Sequence, residues 1–173
     1  KTVNIPLVFM TYVNPVFRYG YDNFFKQCFV IGIDGIIIPD LPFEEKNEIS
    51  EYAKKYDIKI ISLIAPTSQQ RIEDIAKEAE GFLYVVSSMG VTGERNEIKT
   101  DLKSIVDSVK KVTSVPTAIG FGIHSPQQAN QMSKISDGVI VGSAIIKIIK
   151  QHGTDADKYI YDYVKSMKDS MNN

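Results

Sequence analysis

A chain of 173 residues, 43% hydrophobic, can bury a sizeable core and is expected to fold as one domain over residues 1–173. Its 20 basic and 21 acidic side chains leave a formal charge of −1, which argues against a nucleic-acid or membrane-surface partner. The single cysteine, Cys28, excludes an internal disulfide and fits a reducing cytoplasm, and no apolar run approaches the roughly 18 residues of a membrane span. The chain opens on Lys1 rather than Met, so further sequence is expected ahead of it.

The first almost continuously apolar run, Pro6–Tyr12, reads as a strand buried on both faces of a parallel sheet, and it ends in Thr11-Tyr12-Val13-Asn14-Pro15. Phe24–Ile31 is amphipathic and carries Cys28, which reads as a buried structural thiol rather than a nucleophile. A second strand over Gly35–Asp40 leads into Pro39-Asp40-Leu41-Pro42. Asp40 is the one carboxylate directly at a strand end, a candidate general base, although its place between prolines favours a turn residue that helps cap the next helix. Glu44 and Glu45 read as first-turn acids of a helix over Glu44–Tyr56, with Ile49, Tyr52 and Ala53 on one face.

A third strand, Lys59–Ala65, precedes a helical pattern over Gln69–Glu80 that aligns Ile72, Ile75 and Ala76. In the fourth, Phe82–Ser88, Tyr84 shares a face with Phe82 and Val86, pointing either into a core or into a ligand pocket. Met89–Lys99, with Gly90, Gly93 and charged Glu94, Arg95, Glu97 and Lys99, is the polar hinge-bearing loop that a lid needs. A helix over Leu102–Val112 aligns Ile105, Val106 and Val109, and strands over Pro116–Gly122 and Gly138–Gly142 complete the series. Ser125-Pro126-Gln127-Gln128 has the order of an N-cap, a first-position proline and a capping partner. His124 reads as an exposed loop residue, and neither it nor His152 has a neighbour at metal-ligand spacing, so no metal site is expected.

Strict alternation of strand and helix implies a parallel sheet with right-handed crossovers. Six units recur at about 26 residues each, near the spacing of a barrel of ~250 residues in eight units. The expectation is an α/β fold of the (β/α)8 TIM-barrel class with six of its eight units in this chain; an open doubly wound sheet is the alternative. Two glycine turns, Gly120-Phe121-Gly122-Ile123 and Val141-Gly142-Ser143-Ala144, follow the last two strands. In such barrels that position commonly binds phosphate, because glycine lets backbone N–H groups approach the oxygens and a helix N-terminus adds positive potential.

Phe9-Met10-Thr11-Tyr12-Val13-Asn14-Pro15, Ile38-Pro39-Asp40-Leu41-Pro42-Phe43-Glu44-Glu45, Ala65-Pro66-Thr67, Gly81-Phe82-Leu83-Tyr84-Val85-Val86-Ser87, Gly90-Val91-Thr92-Gly93 and the two glycine turns, in that order, resemble the tryptophan synthase α subunit family. The resemblance implies a lyase that splits indole-3-glycerol phosphate into indole and glyceraldehyde 3-phosphate. It implies no cofactor in the α subunit itself, and a pyridoxal-phosphate-bearing β subunit as partner in an α2β2 complex. By motif, Gly93, Gly122, Gly142 and Ser143 would hold the phosphate. Tyr84, Thr92 and Phe121 would contact the substrate, and Asn14 and Asp40 would approach the β subunit. The family's catalytic Glu and Asp sit in a stretch resembling Glu-Leu-Gly-x-Pro-Phe-Ser-Asp, which this chain does not contain, so no catalytic residue is assigned within it. On this reading the chain begins at the third strand of the family pattern, an N-terminally truncated barrel of strands 3–8, inactive by itself. A non-catalytic partner that activates the β subunit, or a phosphosugar isomerase on the same barrel, is the alternative function.

Overall fold

The computed structural model describes residues 4–87, 101–120 and 122–172. Val8–Met10 (β1) leads through Val13–Tyr19 (α1) and Tyr21–Ile31 (α2) to Gly35–Ile37 (β2). A 3-10 turn at Phe43–Glu45 precedes Asn47–Lys55 (α3), and Lys59–Ile60 (β3), Leu63–Ile64 (β4) and Gln69–Lys77 (α4) follow. Then come Leu83–Val86 (β5), Leu102–Lys110 (α5), Thr117–Gly120 (β6), Pro126–Ser133 (α6) and Gly138–Val139 (β7). Ser143–His152 (α7), a second 3-10 turn at Gly153–Asp155 and Ala156–Met171 (α8) complete the order.

All the strands pair in parallel, in the orders β1-β2-β3 and β4-β5-β6-β7. The expected count of six strands is therefore corrected to seven among the described residues, in a barrel-like α/β fold that they form together. The difference lies in Lys59–Ala65. Its first half pairs with β2, Gly35 beside Lys59, and its second half pairs with β5, Leu63 beside Tyr84. Strands of a barrel tilt and stagger, so one apolar run can leave one neighbour before it meets the next. Nothing in the run, neither glycine nor proline, marks the change.

Side chains alternate across these strands as the pleat requires. Leu83 and Val85 face an outer core with Ile64, Ile119, Ile72, Ile75, Ile105 and Val109, where α4 and α5 cover the sheet. A second outer core joins Val16, Phe25 and Cys28 to Ile36, Ile49 and Ile60. The opposite strand faces bring Ile37, Ile61, Tyr84 and Val86 together inside the curve. Cys28 is 1% exposed, and burial pushes its thiol up, as befits a packing residue. The expected cap of α6 is present in full: Ser125 accepts from the Gln128 N–H, and the Gln128 side chain reaches back to the Ser125 N–H.

Two Asp-Gly pairs pin the starts of strands. Asp34 accepts from the Leu7 N–H at 2.7 Å and returns its own N–H to the Leu7 carbonyl at 2.8 Å. Asp137 does the same at the start of β7, accepting from the Thr117 N–H at 2.8 Å and donating to the Thr117 carbonyl at 3.0 Å. Partial burial pushes the Asp137 carboxyl up, but the Lys110 ammonium and the Thr117 N–H and hydroxyl outweigh it and hold the group below the usual carboxylate range. A depressed carboxyl stabilises the fold fully above its unfolded value, near ~3.9, and the contribution is lost as pH falls through the folded value. Acid unfolding followed by circular dichroism should therefore begin at higher pH in Asp137→Asn than in the wild type, with the two converging at the acid end.

Candidate functional site

The carboxyl ends of the strands gather the residues singled out by the sequence. Tyr84, on β5, lies among Ile37, Ile61 and Val86 and is 6% exposed, and burial pushes its phenol up. Its ring lies over the end of β6. A Cβ placed on Gly120 would stand 2.4 Å from the Tyr84 hydroxyl oxygen and 2.6 Å from two ring carbons. Gly120 is thus the small residue facing a large one on the neighbouring strand, and it lets the phenol reach the first glycine turn.

Beyond Gly120 the backbone turns at Gly122, whose φ of +84° lies in the left-handed region that glycine occupies without strain. His124 is tied to this turn through Nδ1, 2.9 Å from the Gly122 carbonyl, and its own carbonyl accepts from the Tyr163 hydroxyl of α8. The expectation of an exposed loop histidine is corrected: His124 is half-buried, because α8 packs over the turn. The second turn ends at Gly142, the N-cap of α7. Gly142 and Ser143 are both exposed, no side chain caps the helix there, and a Cβ on Gly142 would meet nothing within 4 Å. The first turn of α7 thus has no side-chain cap at Gly142, where the positive end of the helix lies.

Register aligns the turns. Ala118 stands beside Gly138 and Ile119 beside Val139, and Gly122 and Gly142 each lie four residues beyond the first of these pairs. Both turns therefore emerge at the same end of adjacent strands.

Asn14 and Asp40 also come together, but not as the flanking prolines suggest. The Asp40 carboxylate accepts from the Val13 N–H, the first residue of α1, at 2.9 Å. Asp40 caps α1, further back along the chain, rather than the next helix. That bond braces the start of α1, with exposed Asn14, against the loop carrying Asp40. Glu44 lies in the 3-10 turn and pairs with Arg71 of α4 through two hydrogen bonds, joining the next two loops. Between those loops opens a cavity of about 520 Å³, with Pro39, Phe43 and Pro66 on its walls and Ile61, Leu63 and Val86 on its floor. Ile61 and Val86 also pack with Tyr84, so the cavity continues the inner face of the strands. Thr92, Gly93, Phe121 and the lid expected over Met89–Lys99 lie outside the described residues. Among those described, no group of three or more His, Cys, Asp or Glu side chains is placed to hold a metal ion. No helix among them is long and apolar enough to cross a membrane.

The sequence model of one family, described as "Tryptophan synthase alpha chain", matches residues 1–173. The chain belongs to the tryptophan synthase alpha chain family. That match, running from residue 1 to residue 173, corrects the six-unit reading of the chain: the family pattern runs over all of it, through the seven described strands. The alpha chain of Lacticaseibacillus casei is 52% identical over 97% of this chain and 63% of its own length. That of Lactiplantibacillus plantarum is 48% identical over 97% and 64%. The chain thus spans slightly under two thirds of these relatives. Among solved structures, tryptophan synthase of Mycobacterium tuberculosis superposes with a TM-score of 0.85 at 31% identity, over 97% of this chain and 63% of that one. The Campylobacter jejuni α subunit gives 0.80 at 34%, over 98% and 65%. The tryptophan synthase α2β2 complex of Pyrococcus furiosus gives 0.84 at 33%, over 96% and 68%.

Proposed function

We propose that this chain forms the substrate site of a tryptophan synthase α subunit, the lyase that splits indole-3-glycerol phosphate into indole and glyceraldehyde 3-phosphate. The observation that carries the reading is the alignment of the two glycine turns at the end of β6 and β7, with the Tyr84 ring lying against Gly120 beside them. The phosphate is held by backbone N–H groups at Gly93, Gly122 and Gly142 and by Ser143 at the start of α7, where the helix dipole favours negative charge. Tyr84 lines the indole pocket, Phe121 packs near the ring, and Thr92 closes over the substrate with its loop.

Retro-aldol cleavage needs a proton delivered to the indole ring carbon, the ring N–H proton removed and a glycerol hydroxyl deprotonated as the carbon–carbon bond breaks. Positioned acids and bases supply such transfers, each worth ~10²–10⁴-fold. We assign none of them to a residue of this chain. Its share is binding and orientation, which contribute to rate when they hold the reacting bond in line. The chain works without a cofactor of its own, in the cytoplasm where Cys28 stays reduced. Its partner is a β subunit carrying pyridoxal phosphate, which meets the start of α1 at Asn14 and the loop braced to it at Asp40.

Indole release from indole-3-glycerol phosphate, measured on the protein together with its β partner, tests this function. Mutually exclusive binding of indole-3-glycerol phosphate and glycerol 3-phosphate is expected of this chain's residues, and saturable release where acid and base groups stand beside them. Neither release nor competitive binding of the two phosphates would contradict it.

A further inference from the structure

Strand β7 is the weakest support under the site. It is two residues long, both half-buried, and among the described residues it pairs with β6 alone. A slip of one residue along β6 would shift the second turn by about 3.3 Å and reverse the faces of its side chains, out of hydrogen-bond reach of a ligand held by the first turn. The Asp137 carboxylate stands at the start of this strand against such a slip, beside the Asp137 N–H that donates to the Thr117 carbonyl. Asp137 Oδ2 accepts from the Thr117 N–H at 2.8 Å, from the Thr117 hydroxyl at 3.1 Å and from Lys110 Nζ at the end of α5. Thr117 is 1% exposed, so its hydroxyl and N–H depend on this carboxylate.

We propose that Asp137 is a positioning residue for ligand binding: it locks the start of β7 to the start of β6, and so sets the height at which Gly122 and Gly142 face a common phosphate group. The proposal rests on the reading of those turns given above. Asp34 makes the matching bond between β1 and β2, where no glycine turn follows, and so provides an internal control.

The test compares Asp137→Ala, Asp137→Asn and Asp34→Ala in the same protein. Glycerol 3-phosphate affinity is read by calorimetry, and amide exchange is read at Ile140, whose N–H bonds to the Ile119 carbonyl at 2.8 Å. Loss of a charge-assisted bond to a buried N–H corresponds to roughly tenfold. Asp137→Ala should weaken glycerol 3-phosphate by about that factor and speed Ile140 exchange similarly. Asp137→Asn, which keeps an oxygen for the Thr117 N–H, should recover most of both. Asp34→Ala should lower the unfolding temperature while changing the affinity less than about twofold. Equal affinity losses in Asp34→Ala and Asp137→Ala would reduce Asp137 to a general stabiliser and overturn the proposal. Unchanged Ile140 exchange in Asp137→Ala would overturn the lock whatever the ligand does. A wild-type protein that takes up no glycerol 3-phosphate would instead overturn the reading of the turns, with the exchange data still deciding the register.

Discussion

Gly142→Asp should abolish most phosphate binding while leaving the fold intact. Gly142 is exposed, is the N-cap of α7, and has open space where a Cβ would go. Aspartate is among the preferred N-cap residues, so the change in stability should stay within about 0.5 kcal/mol. The same carboxylate would stand in the proposed phosphate site. Two unit charges 4 Å apart repel by about 1 kcal/mol in water and by about 4 kcal/mol at an effective dielectric constant of 20. A loss of at least roughly tenfold in glycerol 3-phosphate affinity follows, shrinking as salt is added. Titration calorimetry at two ionic strengths, beside a thermal melt, measures both halves. An unchanged affinity would remove α7 from the phosphate site.

Gly120→Ala should cost about 1–3 kcal/mol, the range for overpacking a well-filled interior. A methyl 2.4 Å from the Tyr84 hydroxyl cannot coexist with the present ring position. Tyr84 has little freedom to move, since β5 is paired on both sides and the ring lies among Ile37, Ile61 and Val86. Shortening the ring relieves the clash, so Gly120→Ala combined with Tyr84→Leu should destabilise by less than the sum of the two single changes. A double-mutant cycle in urea reads the coupling directly, and strict additivity would mean that the two residues do not meet.

Much of the fold was legible because it rests on short-range rules. The burial of Ile72, Ile75 and Ala76 on α4, and of Ile105, Val106 and Val109 on α5, follows the helical period. The Ser125 cap and the shared face of Phe82, Tyr84 and Val86 were equally readable. What escaped is set by neighbours distant in sequence. The split of Lys59–Ala65 arises from the stagger of its two neighbouring strands. Asp40 caps α1 from 27 residues away, a partnership that the local pattern of prolines conceals. Asp137 and Thr117 are paired by register across 20 residues. Gly120 was visible as a turn residue, while its second role, room for Tyr84, needs the order of β5 and β6. Among the site residues, the glycine turns stood out because their chemistry is local. The cavity between Phe43 and Pro66 did not, because its walls come from separate units of the chain.

Amide chemical shifts recorded during a glycerol 3-phosphate titration test whether the two glycine turns form one phosphate site. Saturable shifts that move together at Gly122, Gly142 and Ser143 are expected, with little change at Asp34 or Gly35 on the other sheet. Shifts confined to one turn, or spread evenly over the surface lysines, would contradict it.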